Sequence, residues 1–286
     1  MVEKGKVQGR LIKILVVLGF MLGALWITAK LLWTFEIFRA QQQYESNNPE
    51  ASVSTFQEAS NLAGSCYGVF DGYQLMYGLR VASRAAEKKA DWKNQARFTQ
   101  ICLDVCKKCN LRKMNEFAIS NALALLKLER ADEARSNLLS YLRDDPADAA
   151  VIATLAEVRL AENDQIHALD DINRALTILE SSNPKRFSWK YYKTYSTVNM
   201  QAAAIFEKAS KFHEAEQAIL KVVTLSENEE EWEDCVGFTQ KLSALYEKEG
   251  KISDSLRTQK QIPLLLDKQH KQEEAEREEE SGSTED

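Results

Sequence analysis

Residues 115–148 read NEFAISNALALLKLERADEARSNLLSYLRDDPAD, and residues 149–182 read AAVIATLAEVRLAENDQIHALDDINRALTILESS. In each stretch small residues stand where two helices would cross: Ala122 and Ala134 in the first, Ala156 and Ala168 in the second. Ala at a crossing lets two helix axes approach closely. Larger residues, Leu125 and Leu138 and then Leu155 and Ile172, would fill the space between successive pairs. Ala175 extends the second pattern and Pro146 punctuates the end of the first. The stretch predicts two consecutive helix hairpins, and hence an all-α chain.

The pattern continues with less regular spacing. A third unit starting near Ser196 supplies Ala203, Phe206, Ala215, Ile219 and Val222, and a fourth starting near Val236 supplies Leu242, Ser243, Tyr246 and Ser255. The starts at 115, 149, 196 and 236 are 34, 47 and 40 residues apart. With only 4 Pro and 11 Gly in 286 residues, helix propensity is high and the turn signals of an all-β chain are missing. These residues resemble the tetratricopeptide repeat (TPR) family over roughly half of the chain. The resemblance implies helix hairpins stacked into a right-handed superhelix, whose concave groove is lined by the first helix of each pair. Only the first interval matches the family's 34-residue period, so the longer ones imply extended helices or inserted loops.

Carried onto this chain, the resemblance places Ile119, Leu123, Leu126, Ala153, Glu157, Leu160, Met200, Ala204, Glu207, Gln240, Ala244 and Glu247 towards that groove. TPR proteins that clamp a terminal carboxylate carry Lys, Asn and Arg at such positions, and this chain does not. An apolar groove with scattered Glu suits an apolar or basic protein segment. The alternative, a groove filled by another part of the same protein, stays open at this point.

The N-terminal end differs in character. Leu11–Phe35 contains the unbroken apolar run Ile14–Ala29, and its 25 residues exceed the roughly 20 that span hydrocarbon. Trp26 and Trp33 stand towards its far end, where interfacial aromatics are expected. Lys4, Lys6, Arg10 and Lys13 precede it, so a basic segment 1–10 would stay in the cytoplasm and the repeats would face the other side. A cleaved signal peptide is a poorer match, because the run is too long and Ile27-Thr-Ala29 is a weak cleavage site. Residues 1–39 carry a net charge of +4 and the rest of the chain −10, which argues against nucleic acid as a partner.

In the juxtamembrane linker 36–54, Glu36–Tyr44 reads as a continuation of the helix out of the membrane, stopped by Ser46-Asn-Asn-Pro49, with Thr55-Phe-Gln-Glu58 opening the next helix by a capping box. Residues 55–110 would form a helical hairpin, a divergent repeat, ahead of repeats at 115–266. Gly64, Gly68 and Gly72 offer a face for a homo-oligomer or for tight packing within the array. Leu62–Leu79 has Asp71 as its only charge, so contact with a membrane is a further possibility. Cys102, Cys106 and Cys109 share a helix face that could hold a soft metal, but no His lies near and packing of small thiols is the simpler reading. Lys185–Lys193 mixes cations and aromatics, as the first turns of an amphipathic helix with rings inward would. The acidic tail, 267–286, is too polar to offset chain entropy and is expected to be disordered.

No catalytic constellation, cofactor motif or metal-ligand spacing emerges; His167, His213 and His270 stand apart in sequence. The chain therefore reads as a single-pass membrane adaptor whose repeats recruit a protein partner, extracytoplasmic and on the periplasmic side of a bacterial inner membrane. The resemblance suggests envelope assembly, translocation or quality control. A fixed structural subunit of a membrane complex is the alternative.

Overall fold

The computed structural model describes residues 2–63, 69–109, 111, 115–181 and 188–282, except for the side chains of 2–20, 22, 25, 69–71 and 279–282. Among these residues there are thirteen α-helices and no strand. The chain forms two units, residues 1–128 and 129–286.

Unit 1 contains α1 (Val2–Glu45), α2 (Pro49–Leu62), α3 (Val69–Lys88), α4 (Trp92–Lys108) and α5 (Asn115–Lys127). The helix expected to continue over Glu36–Tyr44 does so, but it is folded into the unit rather than left as a linker. α1 runs on to Glu45, and its residues Trp33, Ile37, Ala40 and Tyr44 form a buried stripe at helical spacing. Ser46-Asn-Asn-Pro49 ends α1 as expected, and the same turn also starts α2: Asn48 caps α2 by accepting from the Ala51 amide at 3.3 Å, and Pro49 occupies the first turn, where its missing N–H costs nothing. Thr55 consequently lies inside α2 and bonds back to the Ala51 carbonyl.

The core of unit 1 gathers Phe56, Leu75, Met76, Leu79, Phe98, Ile101, Cys102, Val105 and Phe117 around the α1 stripe. Cys102, Cys106 and Cys109 are buried in it, with Cys106 Sγ 3.6 Å from Met76 Sδ. Burial pushes the Cys102 thiol well above its ordinary value, so these cysteines act as packing groups. Gly72 faces the end of α4, where an added Cβ would stand 3.0 Å from Leu111 and 3.2 Å from Cys109 Sγ. At Gly72 that face is therefore packed within the chain; Gly64 and Gly68 lie outside the described residues.

α1 packs closely on α3 at Gly78, where a Cβ would lie 2.5 Å from Ile37 Cγ2. Gly78→Ala should cost about 1–3 kcal/mol by overpacking, and Ile37→Ala should restore much of it in the double variant. Unfolding measurements in urea on the two singles and the double check this; a purely additive pair would mean that the two side chains do not compete for the same space.

Unit 2 contains α6 (Ala131–Leu142), α7 (Ala149–Ala161), α8 (Gln165–Ser181), α9 (Trp189–Lys208), α10 (Phe212–Asn228), α11 (Trp232–Lys248), α12 (Ile252–Gln259) and α13 (Ile262–Gly282). α7 pairs with α8, α9 with α10 and α11 with α12, while α7 and α8 also pack against α9. The expected pair at 115–148 is divided, since α5 belongs to unit 1 and α6 to unit 2. The small and large residues of the repeat pattern are buried: Ala134, Leu138, Ala156, Ala168, Ile172, Ala203, Phe206, Ala215, Ile219, Leu242 and Ser243 among them.

The turns after α5, α7, α9 and α11 share one device. Glu129, Asn163, Ser210 and Gly250 each take a left-handed φ, between 59° and 75°. Beyond three of them the next amide reaches back to the preceding helix, as in Asp164 to Arg159, Lys211 to Phe206 and Lys251 to Tyr246. The four turns are spaced by 34, 47 and 40 residues, the intervals read from the sequence. The long interval is taken up in part by α9, with 20 residues against 13 in α7.

The acidic tail is helical to Gly282 rather than disordered. Leu265 is buried against Cys235 and Val236, Lys268 lies 4.2 Å over the Trp232 ring, and Asp267–Lys271 and Glu273–Arg277 pair at i,i+4. Counting apolar residues alone missed those charge pairs.

Among the described residues no helix is long and apolar enough to cross a membrane. The transmembrane helix expected over 11–35 lies on α1, but the side chains of residues 11–20, 22 and 25 are outside the described set.

Candidate partner-binding groove

In unit 2 the groove residues fall in rows at i, i+4 and i+7 on the first helices of the pairs: Ala153, Glu157 and Leu160 on α7; Met200, Ala204 and Glu207 on α9; Gln240, Ala244 and Glu247 on α11. Ala153 is fully buried, because α7 is enclosed on every side from Ala149 to Ala156. Ala153 is therefore not a contact residue. Glu157, Leu160, Met200 and Glu207 are half-buried, whereas Ala204, Gln240, Ala244 and Glu247 are exposed. Ile119 and Leu126 of α5 are half-buried and Leu123 is exposed, on unit 1.

The acidic character expected of this face is largely compensated. Glu247 accepts from Ser255 Oγ at 3.0 Å and from Gln259 Nε2 at 2.8 Å, so its carboxylate is turned to α12. Glu207 pairs with Lys248 of α11. Of the expected groove residues on α9 and α11, Ala204, Gln240 and Ala244 are exposed and uncharged.

Behind this face the pairs are tied by buried polar groups. Tyr192 is fully buried and donates to Asp234 Oδ2 at 2.8 Å, with Ser226 Oγ at 3.0 Å, joining α9, α10 and α11. Arg159 lies 3.2 Å from Asp171, whose carboxyl burial pushes up while Arg159 and Arg174 draw it back. Tyr246 donates to Glu216 Oε1 at 3.0 Å, and burial followed by that bond raises its hydroxyl to about 12.

A tyrosine held neutral in this way stabilises the fold fully below its unfolded value of about 10. As pH rises from about 10 to 12 the unfolded chain loses the proton first, and the stability is lost. Tyr246→Phe should therefore flatten the fall in urea stability between pH 10 and 12; an unchanged slope would remove Tyr246 as its source.

Sequence reasoning missed an open cleft of about 540 Å³ between the start of α9 and α10, lined by Tyr191, Tyr195, Gln217, Leu220, Lys221, Thr224, Leu225 and Asn228. At 100° per residue it lies on the opposite side of α9 from Met200 and Ala204. The aromatic stretch 185–193 was its one signal. In the structure that stretch splits: Tyr192 turns inward, while Trp189 is 52% exposed, stacks on Tyr192 and carries Lys193 4.7 Å over its ring. Residues 185–187 lie outside the described residues.

No protein-family model matches the chain, and no curated protein sequence matches it. Solved structures similar to it include tetratricopeptide repeat proteins, the family that the residue pattern resembles. A tetratricopeptide repeat protein from Parabacteroides merdae is 10% identical, with a TM-score of 0.49 over 80% of this chain and 78% of that one. MamA is 13% identical, with a TM-score of 0.44 over 71% and 96%. YrrB, described as a TPR protein with an unusual peptide-binding site, is 14% identical, with a TM-score of 0.38 over 66% and 84%.

Proposed function

We propose that this chain is a membrane-anchored interaction protein whose unit 2 holds an apolar segment of a protein partner against α9 and α11. The observation that carries the reading is the exposed, small-residue face of Ala204 and Ala244, beside Glu residues already engaged within the fold. A small-residue face admits a helix or extended segment closely, and with its carboxylates compensated it favours an apolar over a basic ligand. The anchor is residues 11–35, with the N-terminus cytoplasmic by its basic flank and the repeats extracytoplasmic.

Both positions are exposed, so Ala204→Arg with Ala244→Arg should leave Tm unchanged. A photo-cross-linker at 204 in native membranes should give a defined adduct, which the charge at 244 should weaken about tenfold, or about 1.4 kcal/mol. Adducts that ignore the charge would sink the groove. A single partner that stays bound through detergent washes would favour the fixed-subunit alternative. Protease digestion of the repeats from the cytoplasmic side would reverse the orientation.

A further inference from the structure

We propose that Leu62 at the end of α2 and Tyr73 near the start of α3 lie in the interfacial layer of the lipid bilayer, in contact with lipid. The inference rests on reading residues 11–35 as a membrane span, and it adds which face of the folded unit meets the membrane.

Contacts within unit 1 fix the direction of each helix. Tyr44, at the end of α1, donates to Asp91 at 3.2 Å and carries Lys89 4.8 Å over its ring, so α1 ends beside the α3–α4 turn. Earlier on α1, Ile37 meets Gly78, and Gln41 donates to the Gly78 carbonyl at 3.4 Å. The two helices therefore run in the same direction. The start of α3 lies beside the part of α1 that precedes Ile37. α4 returns the other way: Arg97 holds Glu50 at 2.7 Å near one end, and Lys108 reaches Asn61 at 3.1 Å near the other. Leu62, Gly72, Tyr73 and Cys109 thus gather at the end of the unit from which the apolar run departs.

The levels overlap. At about 1.5 Å per residue Gly72 lies about 9 Å beyond Gly78, beside α1 near Leu31 and so within the apolar run. The run has 25 residues where about 20 span the hydrocarbon, leaving its last turns for the interface. Trp33, expected at the interface as a lipid anchor, is 5% exposed and belongs to the protein core, so folded protein begins before the run ends. On the other side of the same turns Leu31, Leu32, Phe35 and Phe38 are 66%, 61%, 60% and 54% exposed. Leu62 and Tyr73, 52% and 45% exposed, add apolar surface on α2 and α3 at the same end of the unit. A tyrosine with an apolar ring and a polar tip suits the headgroup boundary, and the single charge in residues 62–79 leaves little to oppose insertion.

The test uses the full chain reconstituted in vesicles of phosphatidylcholine and phosphatidylglycerol containing lipids with a quenching group at a shallow or a deep position. An environment-sensitive fluorescent amino acid replaces Met21, Tyr73 or Asn47 in turn. The Met21 site should be quenched mainly by the deep label and the Tyr73 site mainly by the shallow one, while Asn47, at the opposite end of the unit, keeps its emission. Quenching at Met21 without Tyr73 overturns the proposal and leaves the span standing. No quenching at Met21 overturns the span itself. Equal quenching at Tyr73 and Asn47 shows adsorption without orientation and also overturns it.

Discussion

Phe98→Ala is expected to destabilise unit 1 by about 3–5 kcal/mol, the cost of removing a large, fully buried aromatic from a core that collapses only in part. Phe98 is 0% exposed and sits on α4, where its ring meets Tyr44 of α1 edge-on at 5.3 Å and Phe56 of α2 at 5.7 Å. Its loss therefore loosens two neighbours at once, and each edge-to-face pair is worth about 0.5–1.5 kcal/mol beyond buried area. Hydrogen exchange on the full chain should show faster opening of α2 and α4, with α7 and α8 unchanged. Uniform acceleration across both units would mean that they unfold as one, and no acceleration would deny the aromatic cluster its role.

Ala168→Phe is the corresponding probe of unit 2, with an expected cost of about 1–3 kcal/mol from overpacking. Ala168 and Ala156 are each 0% exposed, and α7 and α8 form one of the tightly packed pairs. A phenyl ring there forces the helices apart or drives neighbouring side chains off their preferred rotamers. Ala204→Phe, on the exposed face of α9, is the control and should change Tm little. Equal Tm values for the two variants would remove the crossing geometry on which the repeat pattern was read.

These two residues illustrate what could be read in advance. Ala168 carries a local signal, a small residue at a fixed distance from Ala156 and Ile172, and the structure buries all three. Phe98 carries none, because its value comes from Tyr44 and Phe56, 54 and 42 residues earlier in the chain. The groove shows the same division. The rows on α9 and α11 could be placed from helical period, but the burial of Ala153 and the turning of Glu247 to α12 depend on neighbouring helices.

The sequence alone determines the helical class, the intervals of 34, 47 and 40 residues and the small residues that the helix pairs enclose, since periodicity and side-chain size are local properties. Only the tertiary structure decides where several helices end and which of them share a core. Ala90, Glu129, Ser210 and Glu230 turn the chain with a left-handed φ that favours glycine, so residue type gives no warning of those turns. Packing between the paired helices supplies what residue type does not. The continuation of α1 to Glu45 is legible in the sequence, but its buried stripe from Trp33 to Tyr44 acquires its meaning only when α2, α3 and α4 close upon it.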